Sequence, residues 1–359
     1  MKIGIYSITY RGVWYRGEAV DVFSLMHLAK QQGWEGVELD AERPHAAPMD
    51  LSPDDRRRLR GLAEELELPI VAVSPNCDLS SPVPVHREAM ICYVRECIKL
   101  AHDLGVPLCK IFAAWRGITV HDGLATYDET YGYDQYGFWK GDRRNFVVEC
   151  LRELTHVAED HGIVLAMQNH GPDIVNSYRD VLSLIEEVGS PALKGCMDIN
   201  IEPEAESEEH AHRMVEESGP LQVHSHFNAE FARTADGVEL VAGGYFDDRF
   251  WQRRVAYPAY VEALVAAGYD GYINWEFCHP AVENGKPAGI EYVHHQTRLA
   301  LEYMRNLREK ATAKAAACPL GRNAVNRIRP AVSQNPDTWS QNQDGISLES
   351  RETSCIIKG

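Results

Sequence analysis

Eight β-branched, strand-like runs alternate without interruption with eight helical patterns, and this alternation limits the fold more than any other feature of the chain. Strands are expected at 2–8, 36–41, 69–77, 109–115, 164–170, 193–200, 221–227 and 271–278. Helices are expected near 18–32, 52–66, 84–104, 143–161, 177–188, 207–218, 257–267 and 289–310. A helix between two strands returns the chain in the same direction, so the sheet is parallel. Eight such units closing on themselves make an α/β architecture, the (β/α)8 TIM barrel. The rival is an open doubly wound sheet, but no Gly-rich turn follows the first strand. Local signals agree with the boundaries. Ser52-Pro53-Asp54-Asp55 sets a capping serine ahead of a proline and two acids. Gly33, Gly105, Gly162, Gly189 and Gly268 stand where helices should stop.

Two long loops leave the C-terminal ends of strands, the face on which barrel enzymes build their sites. Residues 116–142 follow strand four and carry Tyr127, Tyr131, Tyr133, Tyr136, Phe138 and Trp139. Residues 228–256 follow strand seven and carry a second aromatic cluster from Phe231 to Trp251. Aromatic loops of this length are expected as lids over a sugar-like ligand, with a subunit contact as the alternative. The segment 312–359 is poor in apolar residues and rich in Asn, Gln, Ser and Arg. The expectation is therefore one barrel domain, 1–311, and a disordered tail, 312–359.

With 36 basic and 53 acidic residues the chain has a formal charge of −17. That charge repels phosphate backbones and anionic lipid, so neither nucleic acid nor a membrane surface is an expected partner. No apolar run reaches the roughly 18 residues of a membrane span. Nine scattered cysteines without a CxxC pair fit a reducing, cytoplasmic setting.

Strands five to eight each end on a polar side chain able to hold a metal, in an apolar context: Gln168 and His170, Asp198, His224 and His226, and Glu276. Alternation puts Gln168 and His170 on one face of their strand, and His224 and His226 on one face of theirs. A lone buried carboxylate or histidine is commonly a satisfied structural group. Four at the ends of four successive strands suggest one site, because buried carboxylates are costly unless a cation pairs with them. Amide, carboxylate and imidazole donors suit one divalent ion, Mn²⁺ first, with Mg²⁺, Co²⁺ or Fe²⁺ as alternatives.

The strand order, the run Gly36-Val37-Glu38-Leu39 and the endings of strands five to eight resemble the xylose-isomerase-like sugar phosphate isomerase/epimerase superfamily over about residues 1–310. That superfamily includes ketose 3-epimerases, inosose dehydratases and catalytic subunits of C-glycoside deglycosidases. Its metal site takes a Glu, an Asp, a His and a Glu from strands five to eight. The resemblance thus implies Gln168, Asp198, His224 or His226, and Glu276 as ligands. Gln168 departs from the pattern: its carbonyl oxygen can ligate, but the side chain cannot accept a proton. A shuttle between two glutamates is therefore put in doubt, and His170 is the replacement base, with orientation of Gln168 as its other possible role.

Further candidates for substrate contact are Glu38, Trp115, Asn200 and Arg233. Glu202, Trp14, Trp139 and His279 are lesser ones. P-loop, dinucleotide, GxSxG and HExxH patterns do not occur. The expected activity is isomerisation or epimerisation of a sugar or keto-sugar through a metal-stabilised enediolate, with His170 or Glu276 as base. A lyase or dehydratase on a keto-sugar, inosose or 3-keto-glycoside is the alternative, since elimination needs one strong base. A homo-oligomer or a small partner subunit that orders the lids fits either reading. A DNA-repair phosphodiesterase needs more ligands and less acidity, and a non-catalytic sugar-binding barrel is the remaining rival.

Overall fold

The structure is a computed structural model that describes residues 1–127, 137, 139, 141–171, 174–241 and 254–317. Eight parallel strands form a closed barrel: β1 (Lys2–Tyr6), β2 (Val37–Asp40), β3 (Ile70–Ser74), β4 (Leu108–Ile111), β5 (Val164–Gln168), β6 (Leu193–Cys196), β7 (Gln222–Phe227) and β8 (Tyr272–Trp275). The strands follow chain order around the barrel, and β1 closes on β8 with Lys2 beside Tyr272 and Gly4 beside Asn274. The open-sheet alternative is excluded.

Eight α-helices surround the barrel among the described residues: α1 (Val22–Gln32), α2 (Pro53–Glu65), α3 (Pro84–Leu104), α4 (Arg143–His161), α5 (Tyr178–Val188), α6 (Glu208–Ser218), α7 (Tyr257–Ala266) and α8 (Ile290–Ala317). Capping follows the sequence signals. Ser52 and Asp55 cap α2 reciprocally with Pro53 in its first turn, and Ser177 and Asp180 repeat the box on α5. Gly33 ends α1 at φ 87°, a left-handed turn that needs no Cβ.

Two expectations change. The strands stop earlier than the apolar runs, so His170 lies beyond β5, and Asp198 lies beyond β6, just before a 3-10 turn at Ile199–Ile201. At the other end, α8 continues to Ala317, past the boundary expected at 312. The alanine-rich run favours helix, Ala311 is buried, and Lys314 Nζ reaches Glu262 Oε2 at 2.6 Å. The remaining tail, 318–359, lies outside the described residues.

The two long loops each contain a hairpin, Thr119–His121 with Leu124–Thr126 and Glu230–Thr234 with Gly237–Val241. The lid aromatics Tyr131, Tyr133, Tyr136 and Phe138, and Tyr245, Phe246, Phe250 and Trp251 of the second cluster, lie outside the described residues, whereas Phe231 is buried against Trp275 and Tyr303. Ala72, Leu108, Ala166 and Cys196, from β3 to β6, pack together in one small buried cluster. Two residues further along their strands come Ser74, Lys110 and Gln168, and beyond β6 comes Asp198. Strand alternation therefore lays polar groups directly above an apolar floor.

Candidate metal site at the C-terminal ends of the strands

Gln168, Asp198, His226 and Glu276 meet at the ends of the last four strands. Gln168 Nε2 donates to Asp198 Oδ2 at 2.6 Å. His226 Nδ1 lies 3.0 Å from the same Asp198 oxygen and 3.9 Å from Glu276 Oε2. The other Asp198 oxygen accepts the His226 backbone N–H at 2.6 Å. Asn169 holds the Asp198 backbone on both sides, accepting from its N–H at 2.7 Å and donating to its carbonyl at 3.0 Å.

The two strand-seven histidines, equivalent by sequence, now have different places. His226 spans the site, with Nδ1 on Asp198 and Nε2 2.8 Å from Glu38 Oε2. His224 lies two residues back on β7, its Nε2 2.8 Å from that same Glu38 oxygen. Ser74 and Asn274 also donate to Glu38, at 2.5 and 2.8 Å. Glu38 is fully buried, its oxygens are taken by Ser74, Asn274 and both histidines, and its ligand atoms and those of the two histidines lie within 4.8 Å of one another.

Electrostatics bind this cluster together. Burial opposes ionisation of Glu38, yet the facing His226 and His224 imidazoles hold it well below the usual carboxylate range. Asp198 is lowered in the same way, by His226 against its own burial. Burial works against charge on His226, but Glu38 foremost, then Cys196 and Asp198, raise its pKa well above the imidazole norm. Glu276 is shifted the other way, upward by burial.

The residues fit a divalent cation. Gln168 Oε1 is buried without a hydrogen-bond partner, although a carbonyl oxygen can accept two. Cys196 also lies within ligand distance of Asp198 and His226, but burial pushes its thiol pKa up, and a thiol is a poor ligand. Amide, two carboxylates and one imidazole form the hard O/N set that suits Mn²⁺ or Mg²⁺.

His170 stands at the edge of the site, edge-on to Trp115 at 4.8 Å and to Phe112 at 5.3 Å between ring centroids. Its Nδ1 donates to the Gly171 carbonyl at 2.8 Å, which makes Nε2 the basic nitrogen. Burial lowers its pKa to about 4, so it is neutral at pH 7 and a weaker base than its composition suggests. Asp198, not His170, orients Gln168. Trp115 packs against Phe112 and Tyr127 beside it. Asn200, in the turn after Asp198, has a buried Oδ1 without a partner.

Arg233 lies elsewhere. It is exposed and makes a two-pronged pair with Glu302 of α8, at 2.9 and 2.5 Å, which corrects its placement on a ligand. Glu202 sits behind the site, taking bonds from Asn169, the Tyr178 N–H and His210. Lys110 and Asn274 were not singled out from sequence, although Lys110 is a lone charge in the run Leu108–Phe112, a readable sign of a special position.

Known proteins agree with this architecture. A family model described as xylose isomerase-like TIM barrel matches residues 26–307. Fructoselysine 3-epimerase of Escherichia coli O157:H7 is 26% identical over 181 residues, 48% of this chain and 58% of that protein, so the match spans little more than half of the relative. D-psicose 3-epimerase of Clostridium cellulolyticum H10, solved with D-tagatose, superposes with a TM-score of 0.60 at 18% identity, over 86% of this chain and 99% of that one. The 3-keto-D-glucoside 4-epimerase of E. coli gives 0.60 at 17% identity, over 85% and 99%. Among the described residues no helix is long and apolar enough to cross a membrane. Since the family model covers most of the barrel from α1 into α8, this chain belongs to the xylose isomerase-like TIM barrel family.

Proposed function

We propose that the chain is a divalent-metal-dependent isomerase or epimerase of sugars or keto-sugars. One observation carries the reading: Gln168, Asp198, His226 and Glu276 converge from four successive strands with an unpartnered Gln168 oxygen among them. That its relatives and structural neighbours are named as epimerases of fructoselysine, D-psicose and a 3-keto-D-glucoside supports it. A bound ion, Mn²⁺ first and Mg²⁺, Co²⁺ or Fe²⁺ as alternatives, would draw electron density from a substrate carbonyl and its neighbouring hydroxyl.

The chain's own groups divide the remaining work. Glu276 is the least enclosed of the four, at 13% exposure against 0% for His226, and takes the proton from the carbon beside the carbonyl. The electron pair moves onto the carbonyl oxygen and leaves an enediolate. His170 Nε2 and Asn200 Oδ1 accept sugar hydroxyls, and the Trp115 ring covers an apolar C–H face.

Gln168 favours a second reading, because elimination of a β-leaving group needs one base only. A trial of keto-sugars with Mn²⁺ in D₂O separates the outcomes. Epimerisation gives a product carrying deuterium at the inverted carbon. A dehydrated or cleaved product assigns the chain to the lyases. Tight binding of manganese and sugar with no conversion of D-psicose, D-fructose or 3-keto-glucose overturns catalysis in favour of a sugar-binding barrel.

A further inference from the structure

Among the described residues, Lys110 is a buried cation that the site described above leaves unused. It is fully buried on β4, and its Nζ has no hydrogen-bond partner. Leu108, two residues before it, packs with Ala72, Ala166 and Cys196 of β3, β5 and β6, so Lys110 shares their inward face. Its register partner is Ala166, a small side chain that leaves room for a long one. The ammonium rests 3.9 Å from the centroid of Phe112 and 5.0 Å from that of Tyr6.

Those two rings define where it points. Tyr6 stacks on His226 at 5.5 Å, and Phe112 stands against His170. The two rings on which the ammonium rests are therefore the ones that touch His226 and His170. Its charge also reaches Glu276, where it opposes the rise that burial causes. Burying an ammonium without an acceptor is costly, and a ring face compensates only in part. An oxygen or carbanion of a bound substrate would complete it.

Topology gives the direction. In the closed order β4 lies four places from β8 whichever way the barrel is traversed. Lys110 and Glu276 therefore approach the axis from opposite walls. That is the relation required of the two groups that invert a carbon, and Gln168 cannot supply the second. Resting on the epimerase reading above, we propose that Lys110 is the acid/base residue opposite Glu276.

The step balances as follows. Glu276 takes the C–H proton from one face, and the C–H electron pair becomes part of the enediolate. Those electrons then form a new C–H bond with a proton from the Lys110 ammonium on the other face. The products are the inverted sugar, a protonated Glu276 and a neutral Lys110 amine. Proton exchange with water resets both, and the reverse reaction exchanges their roles.

The test is hydrogen exchange in each epimer separately, in D₂O with Mn²⁺, using D-fructose and D-psicose. Wild type, Lys110→Met and Lys110→Arg are compared, with circular dichroism and Mn²⁺ titration as checks on folding and site integrity. Lys110→Met keeps length while removing charge and proton. Loss of one acid/base group should slow net epimerisation by roughly 10²–10⁴-fold. Exchange should persist in the epimer served by Glu276 and disappear from the other. Lys110→Arg keeps the charge but is a poor proton donor, and should behave like Lys110→Met. Rescue by arginine, or equal loss of exchange from both epimers in a folded, manganese-binding variant, overturns the role of Lys110 alone. Absence of exchange in the wild type with either sugar overturns the epimerase reading for this pair, and the Lys110 role with it.

Discussion

Gln168 shows how one amide sets the chemistry of the four-residue cluster. Its Nε2 donates to Asp198 Oδ2 at 2.6 Å, so Gln168→Glu would replace a donor by a second carboxylate facing Asp198. Without an ion the variant should lose about 1–3 kcal/mol of stability, because a buried acceptor loses its donor and gains a like charge. With an ion the added negative ligand should help. Calorimetry should show a lower apo Tm and a larger rise with Mn²⁺ than in the wild type. Equal apo Tm values would show that the amide does not hold Asp198. The same reasoning separates the histidines. His226→Ala should cost more than about 100-fold in Mn²⁺ affinity, and His224→Ala about 10–100-fold, since His224 reaches the four-residue cluster through Glu38 and an edge-on contact with the His226 ring. Equal losses on Mn²⁺ titration would return the two to the ambiguity they have in sequence. Asp198 and Glu276 stand out in the sequence because each follows an apolar run, where an unpaired charge needs a reason. His224 and His226 were not separable, because they share one strand face and only the positions of Asp198 and Glu38 distinguish them. Arg233 was misread because its partner, Glu302, lies on a helix far along the chain.

Elements were more legible than residues, because alternation and caps are local properties while strand ends are set by neighbours. Each strand stops when the barrel ladder runs out, and this carried Asp198 and His170 off their strands and into turns. The seam between β1 and β8 shows how much such a ladder demands. Gly4 is the register partner of Asn274, and a Cβ on it would collide with the Asn274 amide and sit 3.0 Å from the Gly36 carbonyl. Gly4→Ala should therefore push Asn274 off Glu38 and cost about 1–3 kcal/mol. Gly61 of α2 has nothing within 4 Å of a built Cβ. Gly61→Ala should instead stabilise by about 0.5–1 kcal/mol, through helix propensity alone. Urea denaturation of the two variants checks both signs. Loss of stability in both would point to backbone strain common to all glycines, and the seam argument would fail.

At the scale of the whole molecule, acid sensitivity comes from histidines the fold keeps neutral as well as from its acidic surface. His45 is the cleanest case, being buried and away from the proposed ligands, with Nε2 2.9 Å from the Val20 carbonyl. Burial lowers its pKa from 6.5 to about 4. An unfolded chain protonates this ring near pH 6.5, whereas the folded chain resists until about pH 4. Between those values the unfolded state binds more protons, so the contribution of His45 to stability is complete above pH 6.5 and declines as pH falls towards 4. The full shift corresponds to about 3 kcal/mol. His45→Gln retains an amide donor for Val20 and cannot titrate. Relative to wild type, the variant should gain up to about 3 kcal/mol between pH 7.5 and pH 4. His170 and His279, lowered to about 4 and about 3 by their own burial, are present in both proteins and drop out of the difference. Urea titrations across that range measure the gap. A gap that stays constant with pH would mean that His45 charges freely in the folded barrel, and the acid limb would then belong to the other histidines and the carboxylates.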